Sequence, residues 1–198
     1  MGSMSTAESW NEEAERFDDQ PDHGLLDPSV RLAWAGLLLP LMPSPSARVA
    51  DLGCGTGSVS LLLAEAGHSV SGLDISPAMV GKAREKFAAS GYEADLSVGD
   101  AAAPPWPPAS FDAVITRHVL WAMDDPDAAL TRWLDLLAPA GVLVLVEGLW
   151  WTGAGMGAAE VTDLVRRHRT EAEVVVLDDP AFWGGPVRDE RFVVVSRC

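Results

Sequence analysis

The stretch "VADLGCGTGS", residues 49–58, decides the fold of this chain. A short apolar run ends at Asp51 and is followed at once by Gly53, Gly55 and Gly57. A helical pattern, "SVSLLLAEAG", continues from the last of these glycines. A strand, a glycine-rich turn and a helix in this order are typical of the first βα unit of a doubly wound sheet. Glycines in such a turn let the backbone approach a ligand, because no Cβ intervenes.

The chain beyond residue 47 alternates short apolar runs with helical patterns, which is the rhythm of βαβ units. The last two apolar runs are joined by a loop with no helical pattern, so we expect them to form an antiparallel pair at one edge. The expected fold is α/β, a doubly wound, mostly parallel, seven-stranded Rossmann-like sheet with an antiparallel edge strand. Strands are predicted at 48–53, 69–75, 94–100, 110–118, 141–148, 172–179 and 191–197, and helices at 58–67, 77–91, 126–141 and 158–168.

The amino-terminal part is predicted to be a helical lid segment, residues 1–46, on a core of residues 47–198 within a single domain. Ser9 is a candidate cap of a short helix, and residues 18–24 form a polar turn. Asp27 followed by Pro28 indicates the start of another helix, which is expected to reach about Leu39.

Composition excludes several kinds of partner. The 198 residues carry a formal net charge of −15, which repels phosphate backbones and anionic membrane surfaces. No segment is long and apolar enough to span a bilayer, so neither nucleic acid nor a membrane is expected as a partner. The two cysteines, Cys54 and Cys198, offer no disulfide framework, and a cytoplasmic location is the simplest interpretation. No metal site is expected.

Two classes of cofactor are bound by loops of nearly the same sequence. The dinucleotide pattern G-x-G-x-x-G, placed on Gly53 and Gly55, requires a third glycine where the chain has Ser58. The carboxylate of Asp51 is unfavourable beside a pyrophosphate but favourable beside an ammonium group. Asp74, at the end of the second strand, suits the ribose hydroxyls that both cofactors carry. Asp100 ends the third strand and can accept a hydrogen bond from an adenine amino group.

Taken together, these motifs resemble those of class I S-adenosylmethionine-dependent methyltransferases that act on small molecules. The resemblance covers residues 47–147, through "VADLGCGTGSVSLLLAEAGHSVSGLDISPAMV", "GDAAAPPWPPASFDAVITRHVLWAM" and "LAPAGVLVLVE". It implies S-adenosylmethionine as cofactor and S-adenosylhomocysteine as product. The cofactor-binding residues it implies are Asp51, Gly53, Cys54, Gly55 and Gly57 around the methionine part, Asp74 at the ribose, Ile75, Met79, Asp100 and Ala101 around the adenine, and Arg117 near the sulfonium.

An acceptor site is expected beyond the ends of the fourth and fifth strands. His118 is the candidate general base, because histidine titrates near neutrality. Arg117 either binds an acceptor carboxylate or pairs with a local acid. Aromatic residues in predicted loops favour a flat or apolar small-molecule acceptor. The candidate acceptor contacts are Phe17 in the lid, with Trp10 and His23, and Trp121, Trp150 and Trp151.

Three hypotheses for function follow. The first is methyl transfer to a small molecule. The second is an NAD(P)-dependent oxidoreductase on a similar sheet, against which Ser58 and Asp51 count. The third is a non-catalytic S-adenosylmethionine-binding protein, which the sequence leaves open because methyl transfer requires little dedicated chemistry.

Overall fold

The structure is a computed structural model that describes residues 7–197, so the first six residues of the predicted lid segment and Cys198 lie outside the described residues. Seven strands form one sheet in the order β3-β2-β1-β4-β5-β7-β6. The strands are β1 Arg48–Leu52, β2 Ser69–Asp74, β3 Asp95–Val98, β4 Phe111–Arg117, β5 Leu137–Leu149, β6 Glu173–Val176 and β7 Glu190–Ser196.

The predicted doubly wound sheet is confirmed. Strands β1 to β5 pair in parallel, while β7 lies antiparallel between β5 and β6. The pair predicted at one edge is therefore β6 with β7. The continuous apolar run 142–146 lies within β5 and is buried throughout, as a central strand covered on both faces requires.

Helices follow the strands as the alternating pattern predicts. Asp27 caps its helix by accepting from the Ser29 and Val30 backbone N–H groups, and Ser76 accepts from that of Met79. The cap predicted at Asp27 is thus confirmed. The helices are α1 Ala7–Glu13, α2 Pro21–Gly24, α3 Pro28–Leu38, α4 Ser58–Glu65, α5 Pro77–Ser90, α6 Pro126–Asp135 and α7 Ala158–Arg166.

Three local predictions were wrong. Ser9 lies inside α1, which already begins at Ala7, so it is not the cap. The supposed polar turn 18–24 contains part of a 3-10 turn and the whole of α2, which Pro21 initiates. Helix α6 ends at Asp135 rather than near residue 141, because β5 begins at Leu137 and pairs there with Phe111. The β4–β5 pairing then shifts register near Ala140, whose φ is +62°.

The two faces of the sheet carry separate apolar cores. On one face, α3 packs with α4 and α5, and its Trp34 is fully buried and donates from Nε1 to the Phe182 carbonyl at 2.8 Å. On the other face, α6 and α7 cover the sheet around the fully buried Trp133. Helix α3 therefore belongs to the core, whereas α1 and α2 lie near the carboxyl ends of the strands.

Strand β6 is the outer edge of the sheet, and its side chains are exposed. Val174, Val175 and Val176 are 37%, 40% and 62% exposed. Within residues 7–197, no helix is long and apolar enough to cross a membrane.

Gly57 generates a prediction about folding. Its φ is +76°, and a Cβ there would lie 2.9 Å from the Ala83 Cβ in α5. We expect Gly57→Ala to lower the free energy of unfolding by about 1–2 kcal/mol or more, measured by urea unfolding.

Gly81 provides the matched control. It lies in the interior of α5 with ordinary helical φ, and a Cβ added there would have no neighbouring atom within 4 Å outside its own helix backbone. Gly81→Ala is therefore expected to raise the free energy of unfolding by roughly 0.5–1 kcal/mol. Equal effects of the two substitutions on the free energy of unfolding would contradict the left-handed, closely packed backbone described at Gly57.

Candidate functional site

A cavity of about 1020 Å³ lies at the carboxyl ends of β1, β2 and β4. Ligand sites of doubly wound sheets lie at this position, and a cavity of this size exceeds that of most single-ligand pockets. Its wall includes residues of α1 and α2, of the glycine loop (residues 53–57), of the ends of β2 and β4, and of the start of β7. Among the predicted site residues, the wall contains Phe17, Asp51, Gly53, Cys54, Gly55, Asp74, Ile75, Met79, Asp100, Ala101, Arg117, His118, Trp121 and Trp150.

The glycine loop is held against the end of β2. The N–H groups of Gly53 and Cys54 both donate to the Leu73 carbonyl, at 2.7 and 3.0 Å. Gly53 and Gly55 have φ of +70° and +53°, in the left-handed region that favours glycine. A Cβ at Gly53 would overlap the Val119 side chain, and one at Gly55 would lie 3.3 Å from the Phe17 ring. The loop backbone therefore faces the cavity without side chains.

Asp51 is a buried carboxylate in the cavity wall. It is 3% exposed and accepts a hydrogen bond from Ser60 Oγ at 2.5 Å on Oδ2. Burial raises the pKa of Asp51 to about 6, while the Ser60 hydrogen bond and Arg117 oppose that rise. Asp51 is therefore largely ionised at pH 7, and its other oxygen has no protein donor among the described residues.

The Asp74 carboxylate accepts hydrogen bonds from two backbone segments, the glycine loop and the residues that follow β2. Its Oδ2 accepts from the Gly55 N–H and its Oδ1 from the Ser76 N–H, each at 2.8 Å. Burial raises the pKa of Asp74, and these two hydrogen bonds oppose the rise. Each carboxylate oxygen can accept more than one hydrogen bond, so Asp74 retains acceptor capacity toward a ligand.

The remaining predicted cofactor contacts lie along the same wall. Asp100 accepts from the Ala102 N–H at 2.8 Å, so it forms a local turn and also lines the cavity. Ile75 is 41% exposed, whereas Met79 is buried. Burial raises the pKa of the Cys54 thiol well above its usual value, so the thiol is neutral.

The amino-terminal segment is fixed over this wall by polar contacts. Asn11 Oδ1 accepts from Ser76 Oγ at 2.7 Å and from the Ala78 N–H at 3.1 Å, at the start of α5. Asp18 accepts from Thr56 Oγ1 at 2.5 Å and pairs with Lys86 at 2.8 Å. Phe17, which lies between these contacts, stacks on His23 with ring centroids 4.2 Å apart.

Arg117 is the last residue of β4 and His118 follows it, and both line the cavity. Arg117 Nη1 donates to the Asp22 carbonyl, and its guanidinium lies 5.3 Å from the Trp34 ring centroid. His118 has φ of +60°, and neither ring nitrogen has a hydrogen-bond partner among the described residues. Burial, and then Arg117 and Arg191, lower the pKa of His118 well below its usual value, so the ring is neutral at pH 7.

Only some of the tryptophans that were predicted to contact the acceptor line the cavity. Trp121 and Trp150 line the cavity with ring centroids 5.3 Å apart. Trp151 does not line the cavity, and its side chain is 86% exposed. Gly57 is also outside the cavity wall, since it packs against α5. The predictions that Trp151 contacts the acceptor and that Gly57 lines the methionine pocket are therefore not supported by the geometry.

Sequence reasoning missed two residues. Arg191 reaches the cavity from the start of β7, and its position depends on a loop of irregular structure that no periodicity predicts. Glu147 is fully buried in β5, and its Oε1 accepts from the Val119 and Leu120 N–H groups at 3.1 and 2.8 Å. The sequence does contain one signal for Glu147, because it is the single charged residue in the otherwise uncharged predicted strand 141–148.

The sheet order and the glycine turn define a doubly wound α/β protein with a ligand crevice at the end of its first strand. Residues 50–145 match the family model described as "Methyltransferase domain". This segment of the chain belongs to that methyltransferase family.

Named relatives agree with this assignment over part of their length. A demethylmenaquinone methyltransferase from Thermus thermophilus is 39% identical over 102 residues, which cover 50% of this chain and 46% of the relative. A trans-aconitate 2-methyltransferase from Streptomyces avermitilis is 37% identical over 110 residues, covering 53% of this chain and 40% of the relative. The chain thus spans about half the length, or less, of these curated relatives.

Solved structures share the fold. The [4+2]-cyclase SpnF has a TM-score of 0.72 at 21% identity, over 83% of this chain and 79% of SpnF. A SAM-dependent methyltransferase from Aquifex aeolicus has a TM-score of 0.68 at 18% identity, over 94% of this chain and 97% of that one.

Glu147 generates a prediction about pH and stability. Burial raises the pKa of Glu147 to about 8, above the usual value of 4.5 that applies to the unfolded chain. The folded state therefore binds an extra proton between these values, and wild-type stability falls as the pH rises toward 8. We expect Glu147→Gln to gain stability relative to the wild type between pH 5 and pH 8, by at least about 1 kcal/mol.

Urea unfolding of both proteins at pH 5 and pH 8 measures this difference. Asp51 also has a raised pKa, but it is present in both proteins, so its contribution cancels. A stability difference that is the same at both pH values would show that Glu147 is not protonated in the folded protein.

Proposed function

We propose that this protein is an S-adenosylmethionine-dependent methyltransferase that acts on a small-molecule acceptor. The observation that carries the proposal is one cavity lined by the glycine loop and by Asp51, Asp74 and Asp100. This set of groups suits a ligand with an ammonium group and neutral ribose hydroxyls, and it is unfavourable for a pyrophosphate. The family of residues 50–145 and the named relatives support the same activity.

The residues present fit this cofactor. The free oxygen of Asp51 suits its ammonium group, and the side-chain-free backbone at Gly53 and Gly55 suits its methionine part. Asp74 suits the ribose, while Ile75 and Met79 suit the faces of the adenine and Asp100 and Ala101 its edge. The bound cofactor supplies an activated methyl group on a sulfonium.

The chain's own contribution is alignment and exclusion of water. Displacement at a methyl group requires the nucleophile to lie in line with the bond that breaks. Helices α1 and α2 cover the cavity, and Trp121 and Trp150 present aromatic walls to the acceptor. A flat or apolar acceptor suits these walls. His118, neutral at pH 7, accepts a proton from an acceptor that arrives protonated.

The alternative of a non-catalytic S-adenosylmethionine-binding protein, or one with other chemistry, has one observation in its favour. The fold is shared with a protein named as a [4+2]-cyclase. Transfer of labelled methyl to a panel of hydroquinones and carboxylic acids separates the two, because only a methyltransferase labels an acceptor.

Binding tests the cofactor. S-adenosylhomocysteine at about 100 times its Kd is expected to raise the free energy of unfolding by about 2.7 kcal/mol. NAD⁺ and NADP⁺ are expected to leave it unchanged. Methylthioadenosine, which lacks the amino-acid tail, is the matched control and is expected to bind more weakly, because it does not reach Asp51. Stabilisation by NAD⁺ and not by S-adenosylhomocysteine would overturn the proposal.

His118→Asn tests the general base. Asparagine tolerates the left-handed backbone that residue 118 adopts, so the variant preserves the loop. We expect kcat for a labelled acceptor to fall about 100-fold or more, with binding of S-adenosylhomocysteine unchanged. In the wild type, the acidic limb of the kcat profile is expected well below pH 6.5, because the pKa of His118 is lowered. Full kcat in the variant would exclude the base role.

A further inference from the structure

The cavity wall carries both acidic and basic side chains. Asp51, Asp74 and Asp100 lie at or just beyond the ends of β1, β2 and β3, where the proposed cofactor binds. Arg117 ends β4, which is next to β1 in the sheet, and Arg191 lies at the start of β7. Four further charged residues line the wall: Asp22, Asp124, Asp125 and Arg132.

Arg191 is held in a fixed orientation. Its guanidinium lies between two tryptophans, 5.0 Å from the Trp150 ring centroid and 5.2 Å from that of Trp183. Its Nη2 is 2.9 Å from Asp189 Oδ2, and Asp189 itself does not line the cavity. Asp189 therefore orients the guanidinium from outside the cavity wall and engages one of its three nitrogens.

Buried polar atoms without partners gather in this cavity wall. Among the described residues, six buried side-chain nitrogen or oxygen atoms lack a hydrogen-bond partner. Four of them belong to residues of the cavity wall: His23 Nδ1, both ring nitrogens of His118, and Arg191 Nε. A buried polar atom without a partner costs free energy, so such a cluster indicates that a ligand or water supplies the partners.

The nearby acids do not pair directly with Arg117. Asp51 and Asp18 attract its charge, but Asp51 accepts its hydrogen bond from Ser60, and Asp18 contacts Thr56 and Lys86. Asp22 lies next to His23, with its Oδ2 3.5 Å from His23 Nε2, and Arg117 bonds to the backbone carbonyl of Asp22 rather than to its carboxylate. Asp189 pairs with a single nitrogen of Arg191. One nitrogen of each guanidinium group is engaged in these contacts, so donors of both groups remain for a ligand.

We propose that Arg117 and Arg191 form a subsite for a carboxylate carried by an aromatic acceptor, whose ring lies against Trp121 and Trp150. This inference rests on the proposed function and specifies its acceptor. The carboxylate is the anchor and not the methylated atom, since guanidinium donors that stabilise a carboxylate reduce its nucleophilicity. An arginine fork fits the planar carboxylate geometry, which an equivalent neutral amide does not satisfy.

The test compares two ligands of the same shape. We use 2-naphthoate and 2-naphthamide as probes, titrated by calorimetry into the 198-residue chain saturated with S-adenosylhomocysteine, at low ionic strength. The wild type is expected to bind 2-naphthoate at least about ten times more tightly than 2-naphthamide. This comparison requires no variant, so it does not depend on how a substitution affects folding.

Variants then locate the subsite. Arg191→Gln is expected to weaken 2-naphthoate binding about ten-fold and to leave 2-naphthamide binding unchanged. Arg188→Gln, at an exposed position of the same loop and outside the cavity wall, is the matched control and is expected to change neither.

The two proposals fail in different ways. If the protein does not bind S-adenosylhomocysteine, the proposed function fails. If it binds S-adenosylhomocysteine but binds the two naphthyl ligands equally, or binds neither, the carboxylate subsite is overturned while the proposed function stands. Equal losses of 2-naphthoate affinity in Arg191→Gln and Arg188→Gln would also overturn it, since that result indicates a general charge effect.

Discussion

The site depends on one constraint, the attachment of the glycine loop to the end of β2. The Leu73 carbonyl accepts from two loop N–H groups, and the Asp74 carboxylate accepts from a third, that of Gly55. These bonds require left-handed backbone at Gly53 and Gly55, which is why glycine is needed there. The same contacts bring Asp51 and Asp74 to one cavity, so the electrostatic character of that side follows from the loop geometry.

Much of this arrangement is predictable from sequence, because it is local. The βαβ rhythm, the glycine loop, and the caps at Asp27 and Ser76 each depend on a few neighbouring residues. The boundary between α6 and β5 was mispredicted, because Leu134 and Leu137 fit a helical stripe, whereas pairing of Leu137 with Phe111 in the sheet prevails. Tertiary pairing of this kind overrides a local pattern.

The acceptor side was predicted less completely, because it is assembled from distant parts of the chain. The sequence indicated aromatic residues near position 150, but it did not show that Trp150 faces inward and Trp151 outward. Arg191 carries no local motif, and its place between Trp150 and Trp183 depends on the fold of residues 177–190. Glu147 follows an apolar run, so the sequence pattern did not single it out, whereas its complete burial in the structure does.

The exposed valines of β6 affect how the protein behaves in concentrated solution. An edge strand offers unpaired backbone groups to any other extended chain, and apolar side chains strengthen such pairing. Glu173 in β6, with Glu171, Asp178 and Asp179 beside it, places acidic side chains at this edge, and the overall charge of −15 adds to the repulsion between molecules. Salt screens that repulsion over about 10 Å at 0.1 M. Self-association through β6 is thus opposed mainly by long-range repulsion, which makes colloidal behaviour sensitive to ionic strength.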